Sequence, residues 1–221
     1  MKSLLRRPPA SPETAVAQRL AMATELAREF ATDAARYDRE GTIALTNFEK
    51  LATAGLLSLT VPTRLGGAEA DLAEVTRIVG RIATGDASTA LILAMHYLHV
   101  AAIFRSSRWP RPLADRIGLA SAAGEIALVN ALRVEPELGS PARGGLPATV
   151  ARRTDDGWLL TGHKIYSTGS SILRWAWSGP GRTTRSHRSD SGWCRWTARA
   201  CGSPRPGITW ACGRPAATRS Y

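Results

Sequence analysis

ATVARRTDDGWLLTGHKIYST, residues 148–168, is the stretch on which the fold turns. Two β-permissive runs flank Asp155, Asp156 and Gly157, and an Asp-Gly step between such runs signals a hairpin. Just upstream, EIALVNALRV, residues 125–134, is apolar and equally β-permissive. Everything before Glu125 reads with the period of helices. The expected order is therefore helices first and antiparallel strands second, an α+β chain that is mainly α.

Moving toward the N-terminus, Val16, Leu20, Ala23, Ala27, Phe30, Ala34 and Tyr37 recur at spacings of three and four with charges between them. That spacing predicts an amphipathic helix. Thr46 is placed to cap a second helix over Asn47–Ala54, ended by Gly55. GLLSLTVP reads as a short extended apolar run before a Gly66–Gly67 turn, and Asp71 opens a third helix with Leu72, Val75, Ile78, Val79 and Ile82 on one face. Gly85 breaks it and Asp86 caps the next.

From Ala87 to Phe104 no charge occurs. The length is near the lower limit for a membrane span. Ser88, Thr89, His96 and His99 and the lack of a second such segment favour a buried central helix. His96 and His99 are neighbours on a helix but have no third metal-ligating side chain nearby, so they read as satisfied histidines. A shorter helix follows Trp109–Pro112. The predicted division is 1–12 as a flexible start, 13–124 as a helical domain, 125–176 as a partial β domain, and 177–221 as a tail.

The formal charge of +11 suggests nucleic acid or an acidic surface until it is divided along the chain. Residues 177–221 hold eight Arg, no Lys and one acidic residue, Asp190, while 1–176 are near neutral. The tail also holds all three cysteines, Cys194, Cys201 and Cys212, with no metal-binding or disulfide pattern. No signal peptide is legible at the start, so a cytoplasmic location is expected. By composition the tail is expected to be disordered or weakly structured.

AAGEIALVNALRVEPELGS (122–140) and DDGWLLTGHKIYSTGS (155–170), following LTVPTRLGG and GDASTALILAMH, together resemble the acyl-CoA dehydrogenase family of flavoproteins. The resemblance covers most of residues 13–176. In that family the first stretch is a strand and loop written T-E-P followed by G-S, and the second a hairpin written G-x-K-x-W-x-T. A flavin needs backbone N–H groups and short hydroxyls from turns that let the backbone come close. The resemblance implies flavin contacts from Gly139 and Ser140 in the loop and from Tyr166, Ser167 and Thr168 on the hairpin. Tyr166 stands where the family has Trp. Val134 stands where it has Thr, which removes a hydroxyl and leaves a backbone contact.

The implied reaction removes an α-proton and a β-hydride from an acyl thioester, the proton going to a carboxylate base and the hydride to FAD. The base is expected in a C-terminal helical domain, so no residue here is assigned as catalytic, Glu135 and Glu137 included. For the full-length relative the family implies an acyl-CoA-type substrate, an electron-accepting flavoprotein and a homo-oligomer, with no metal, nucleic acid or membrane partner. A flavin-dependent monooxygenase of the desulfurisation type, which carries similar K-x-Y-S-T-G hairpins, is the alternative within the fold. A non-catalytic helical interaction protein with a basic tail is the alternative outside it.

The tail GITWACGRPAATRSY, residues 207–221, lacks Lys, Glu, Leu and Val. Read one base out of frame, the codons of 208–221 permit HHLGMRATGSHSVV, and L-G-M-R-A-T-G-S is a family motif of the β domain. The same shift after Ala176 turns SILRWAWSGPGRTT into SILRWALVWARTD, an alternating strand. A lost base near the Ala176–Trp177 codons is therefore expected, leaving a truncated product that is inactive as written.

Overall fold

The computed structural model describes residues 11–107, 109–136, 148–154 and 157–178, with short strands at 182–183, 192–195 and 208–213. Five helices precede seven strands. Helix α1 spans Pro12–Glu40, α2 Leu45–Thr53, α3 Leu72–Ala83, α4 Ala87–Arg105 and α5 Arg111–Ala122. Ser11 caps α1, its hydroxyl accepting the Thr14 N–H at 3.2 Å. Asp71 and Asp86 cap α3 and α4 as their positions predict.

Helix α4 is the apolar centre. Ile92, Leu93, Tyr97, Val100 and Ile103 on it are buried, alongside Phe30 of α1, Phe48 and Leu51 of α2, and Ile78 and Ile82 of α3. Among the described residues it is the helix long and apolar enough to cross a membrane, yet here it packs as a core helix. The turn before it comes close to α1: a Cβ on Gly85 would lie 2.0 Å from the Ala27 carbonyl oxygen. The carboxylate of Asp86 also accepts from the Asn47 amide at 3.1 Å and the Thr89 hydroxyl at 2.7 Å, tying α2 to the start of α4.

Two local expectations fail for identifiable reasons. Helix α2 starts at Leu45 with no side-chain cap, and Thr46 instead lies 3.3 Å from the Tyr37 hydroxyl. The run after Gly55 is not extended; Leu56–Ser58 forms a 3₁₀ turn. A strand would point Leu56 and Leu57 to opposite faces, but both are wholly buried. Polar groups of α4 hold that turn: the Tyr97 hydroxyl donates to the Leu56 carbonyl at 2.5 Å, and His96 Nε2 to that of Leu57 at 2.8 Å.

Strands β1 (Val129–Ala131), β4 (Trp175–Ser178) and β6 (Gly192–Arg195) form one sheet in the order β1-β4-β6. Strands β5 (Arg182–Thr183), β2 (Val150–Thr154), β3 (Gly157–Gly162) and β7 (Ile208–Gly213) form a second, in the order β5-β2-β3-β7. The β2–β3 hairpin pairs Thr154 with Gly157, the first residue of β3. The β domain is not wholly antiparallel, since β1–β4 and β2–β5 are parallel. Long connections permit such pairs.

Strands β5, β6 and β7 lie within residues 177–221, with β6 pairing β4 and β7 pairing β3. ITWACG and GWCR carry Ile, Thr and Trp, which suit a pleated surface. One buried cluster joins α4 and its neighbours to Leu128, Leu132, Ala151, Leu160 and Ala176, so helices and strands share a core.

Candidate functional site

The loop and the hairpin that carry the motif residues meet at the end of β3. Val134 and Ile165 form an antiparallel bridge, the Ile165 N–H donating to the Val134 carbonyl at 3.0 Å. The next pair along is ionic. Lys164 Nζ donates to Glu135 Oε1 at 2.6 Å, with side chains only 1% and 3% exposed. Glu135 also accepts from the Ala148 N–H at 2.6 Å and from the Thr149 hydroxyl at 2.5 Å and N–H at 3.2 Å. Burial acts to raise its pKa, but Lys164, Thr149 and the Ala148 N–H together outweigh that and hold the carboxyl below its ordinary value. Glu135 is thus a buried, charged brace bonded by four donors.

Beyond this brace the chain makes a tight turn. Tyr166 has φ 55° and its side chain is 82% exposed. A left-handed tyrosine costs roughly 1 kcal/mol, and the surrounding hydrogen bonds enforce it. The Thr168 N–H donates to the Tyr166 carbonyl at 3.0 Å and the Ser170 N–H to the Ser167 carbonyl at 2.9 Å. Gly169, at φ 77°, rests on α4, where a Cβ would meet Ile92 Cγ2 at 3.2 Å. Between the two, Ser167 Oγ is buried and has no hydrogen-bond partner among the described residues. A buried hydroxyl left in that state costs about 1–3 kcal/mol, so the turn lacks a partner that a polar ligand edge can supply.

A polar cluster supports the turn from below. Asn130, buried within β1, donates its side-chain amide to the Thr168 carbonyl at 2.9 Å, and its Oδ1 accepts the Ala131 N–H at 2.7 Å. His99 of α4 lies beside it, and burial first and the Arg133 guanidinium second lower the His99 pKa, with the neighbouring Asn130 side chain opposing them. Arg133 in turn lies 4.2 Å over the ring of Trp177. His96, one turn earlier on α4, faces the core with both ring nitrogens engaged: Nε2 donates to Leu57 and Nδ1 accepts the Val129 N–H at 3.2 Å.

Of the six expected cofactor contacts, Val134, Tyr166, Ser167 and Thr168 fall within this one region. Gly139 and Ser140 lie outside the described residues. Glu137 lies outside them as well. The Val134 carbonyl is committed to Ile165, which restricts the backbone contact expected of it. The sequence reading missed Asn130 and Arg133, and singled out His99 only as a neighbour of His96. A polar residue in the middle of the apolar run LVNAL was the available signal, because a buried amide must find partners. A separate apolar groove, ≈ 460 Å³, runs between α3 and α4 past Leu72, Val75, Val79 and Leu98 and includes none of the turn residues.

Residues 13–107 match the family described as acyl-CoA dehydrogenase, N-terminal domain. The putative acyl-CoA dehydrogenase YdbM of Bacillus subtilis (strain 168) is 31% identical over 194 residues, 80% of this chain and 50% of that protein. This chain belongs to the acyl-CoA dehydrogenase family. L-evernosamine nitrososynthase from Micromonospora sp. is 35% identical over 140 residues, 60% of this chain and 31% of that enzyme. Among solved structures, KijD3 in complex with FMN and dTDP-3-amino-2,3,6-trideoxy-4-keto-3-methyl-D-glucose superposes with a TM-score of 0.70 at 25% identity, covering 95% of this chain and 53% of KijD3. The chain spans about half the length, or less, of the curated relatives it matches. Its acyl-CoA dehydrogenase N-terminal domain contains α1 to α4, the helix that underlies the turn at Tyr166.

Proposed function

We propose that this chain provides the flavin-facing part of a flavin-dependent oxidoreductase that dehydrogenates an acyl thioester, with FAD as the cofactor. The observation that carries it is the Tyr166–Thr168 turn. It presents an exposed aromatic ring from a left-handed backbone beside a buried hydroxyl lacking a partner. Those residues fit a planar heteroaromatic group: Tyr166 would lie along its face, while Ser167 and Thr168 offer hydroxyls to its polar edge. A bound flavin supplies the two-electron acceptor that protein side chains lack. The likeness to YdbM supports acyl thioester chemistry. Glu135 takes no proton in this reading, being held ionised by Lys164. The substrate, an electron-accepting flavoprotein, a homo-oligomeric holoenzyme and a cytoplasmic location belong to the same proposal.

A second reading, an FMN-dependent monooxygenase of the same fold, is favoured by the half-buried His99 and the buried Asn130 beside the turn. Such polar groups suit a polar substrate better than an alkyl chain. The likeness to the nitrososynthase and to KijD3 supports it. The purified 221-residue protein is to be titrated with FAD and with FMN, and its frame-restored version assayed in two ways. Acyl-CoA-dependent bleaching of the bound flavin is the dehydrogenase outcome. Oxygen-dependent turnover only with externally reduced flavin is the monooxygenase outcome. Protein that quenches neither flavin at any concentration refutes both.

A further inference from the structure

We propose that Asn130 is a positioning residue for the flavin-facing turn, acting through the Thr168 carbonyl. The inference rests on the flavin reading above and names a residue that the motif comparison did not include.

Asn130 sits in the middle of a three-residue strand whose neighbours Leu128, Val129 and Leu132 are buried and apolar. A side-chain amide there is tolerated only when its donor and acceptor are both used. They are. Oδ1 receives the Ala131 N–H and Nδ2 reaches across to the Thr168 carbonyl, thirty-eight residues away. Inverting the amide would set its NH₂ against the Ala131 N–H and its oxygen against the Thr168 oxygen. Only one orientation is compatible.

The turn is therefore held at two places. Ile92 of α4 packs against Gly169, and Asn130 of β1 holds the Thr168 carbonyl. The attachment at Thr168 fixes the backbone between Tyr166 and Gly169, both of which have positive φ. Without it the Thr168 carbonyl loses its side-chain partner.

Asn130→Asp separates this role from simple space filling. Aspartate has the same shape and keeps an acceptor for Ala131, but when ionised it has no donor for Thr168. Asn130→Ala removes both. Two readouts apply to the full 221-residue chain. Hydrogen exchange of the 163–172 segment, measured without flavin, should accelerate about tenfold in both variants, with α1 and α3 unchanged. FMN and FAD titrations should show about tenfold weaker binding in both, with the resolved shoulders of the bound-flavin spectrum lost. Asn130→Asp that matches wild type in both readouts overturns the proposal, as does faster exchange spread evenly over the helices. Wild-type protein that takes up no flavin overturns the functional reading on which the cofactor role rests. That failure is told apart from failure of the clamp by the exchange data, which need no flavin.

Discussion

Lys164 and Glu135 meet at 2.6 Å inside the protein and join the two motifs, one from the loop after β1 and one from the strand leading to Tyr166. Removing one partner of such a buried pair leaves an uncompensated charge and typically costs about 3–5 kcal/mol. Lys164→Met is therefore expected to lower the urea midpoint sharply, and Glu135→Leu with Lys164→Met to regain most of the loss. Urea denaturation of the three proteins checks this. A single variant as stable as wild type would show that the pair is not a brace.

The same carboxyl carries an acid dependence. Glu135 is held below its ordinary pKa in the folded chain, so the unfolded chain takes up its proton at a higher pH. Its contribution is complete above the unfolded value and is lost as pH falls through the folded one.

Burial first, and the nearby His99 to a smaller extent, bring His96 down to about 4 from its ordinary 6.5 despite its bond to Leu57. Between those values the unfolded chain binds a proton that the folded chain excludes, so stability declines as the pH is lowered from 6.5 to 4. At about 1.4 kcal/mol per pH unit the full span is on the order of 3 kcal/mol. His96→Gln should flatten that segment of the stability profile, which denaturant titrations at half-unit pH steps will show. An unchanged slope in the variant would assign the acid loss to other groups.

Gly85→Ala places a methyl 2.0 Å from the Ala27 carbonyl oxygen, a backbone atom that cannot rotate away. Forced insertion into a packed contact costs typically 1–3 kcal/mol, and α1 would have to move off α4. A thermal midpoint several degrees lower is expected. Gly80→Ala serves as the control, since its added Cβ meets nothing within 4 Å.

We predict that restoring one base at the Ala176–Trp177 codons yields a frame encoding LGMRATGS over 210–217 and then further helical sequence. Sequencing the coding DNA across Arg174–Gly181 tests this directly, and a stop codon soon after the insertion would sink it. Acyl-CoA-dependent bleaching of FAD is expected in the restored protein and not in the 221-residue product, because loss of a general base alone typically costs about 10²–10⁴-fold. Equal activity in the two would mean that the tail is itself functional.

The helices were legible because capping and periodicity act locally. Asp71 and Asp86 are where the caps form, and the apolar face of α3 points inward at Ile78 and Ile82. The 3₁₀ turn at Leu56–Ser58 was not legible, since its carbonyls are held by His96 and Tyr97 some forty residues later. The same distance hid the polar cluster. Asn130 shows itself only as an oddity in LVNAL until Thr168 is brought beside it. Glu135, next to a proline in a loop, looked available for chemistry and was withheld only by analogy; four donors now account for it physically.

Helix α4 touches almost everything described above. It holds the Leu56–Leu57 carbonyls, accepts the Val129 N–H next to Asn130 and supports Gly169. For recombination between relatives this sets where a crossover can fall. A seam drawn at the helix-to-strand change near residue 125 would pair one parent's α4 with another parent's Asn130 and Gly169, so that each chimaera inherits a mismatched hinge point. Transplanting residues 87–178 as one block keeps those partners together.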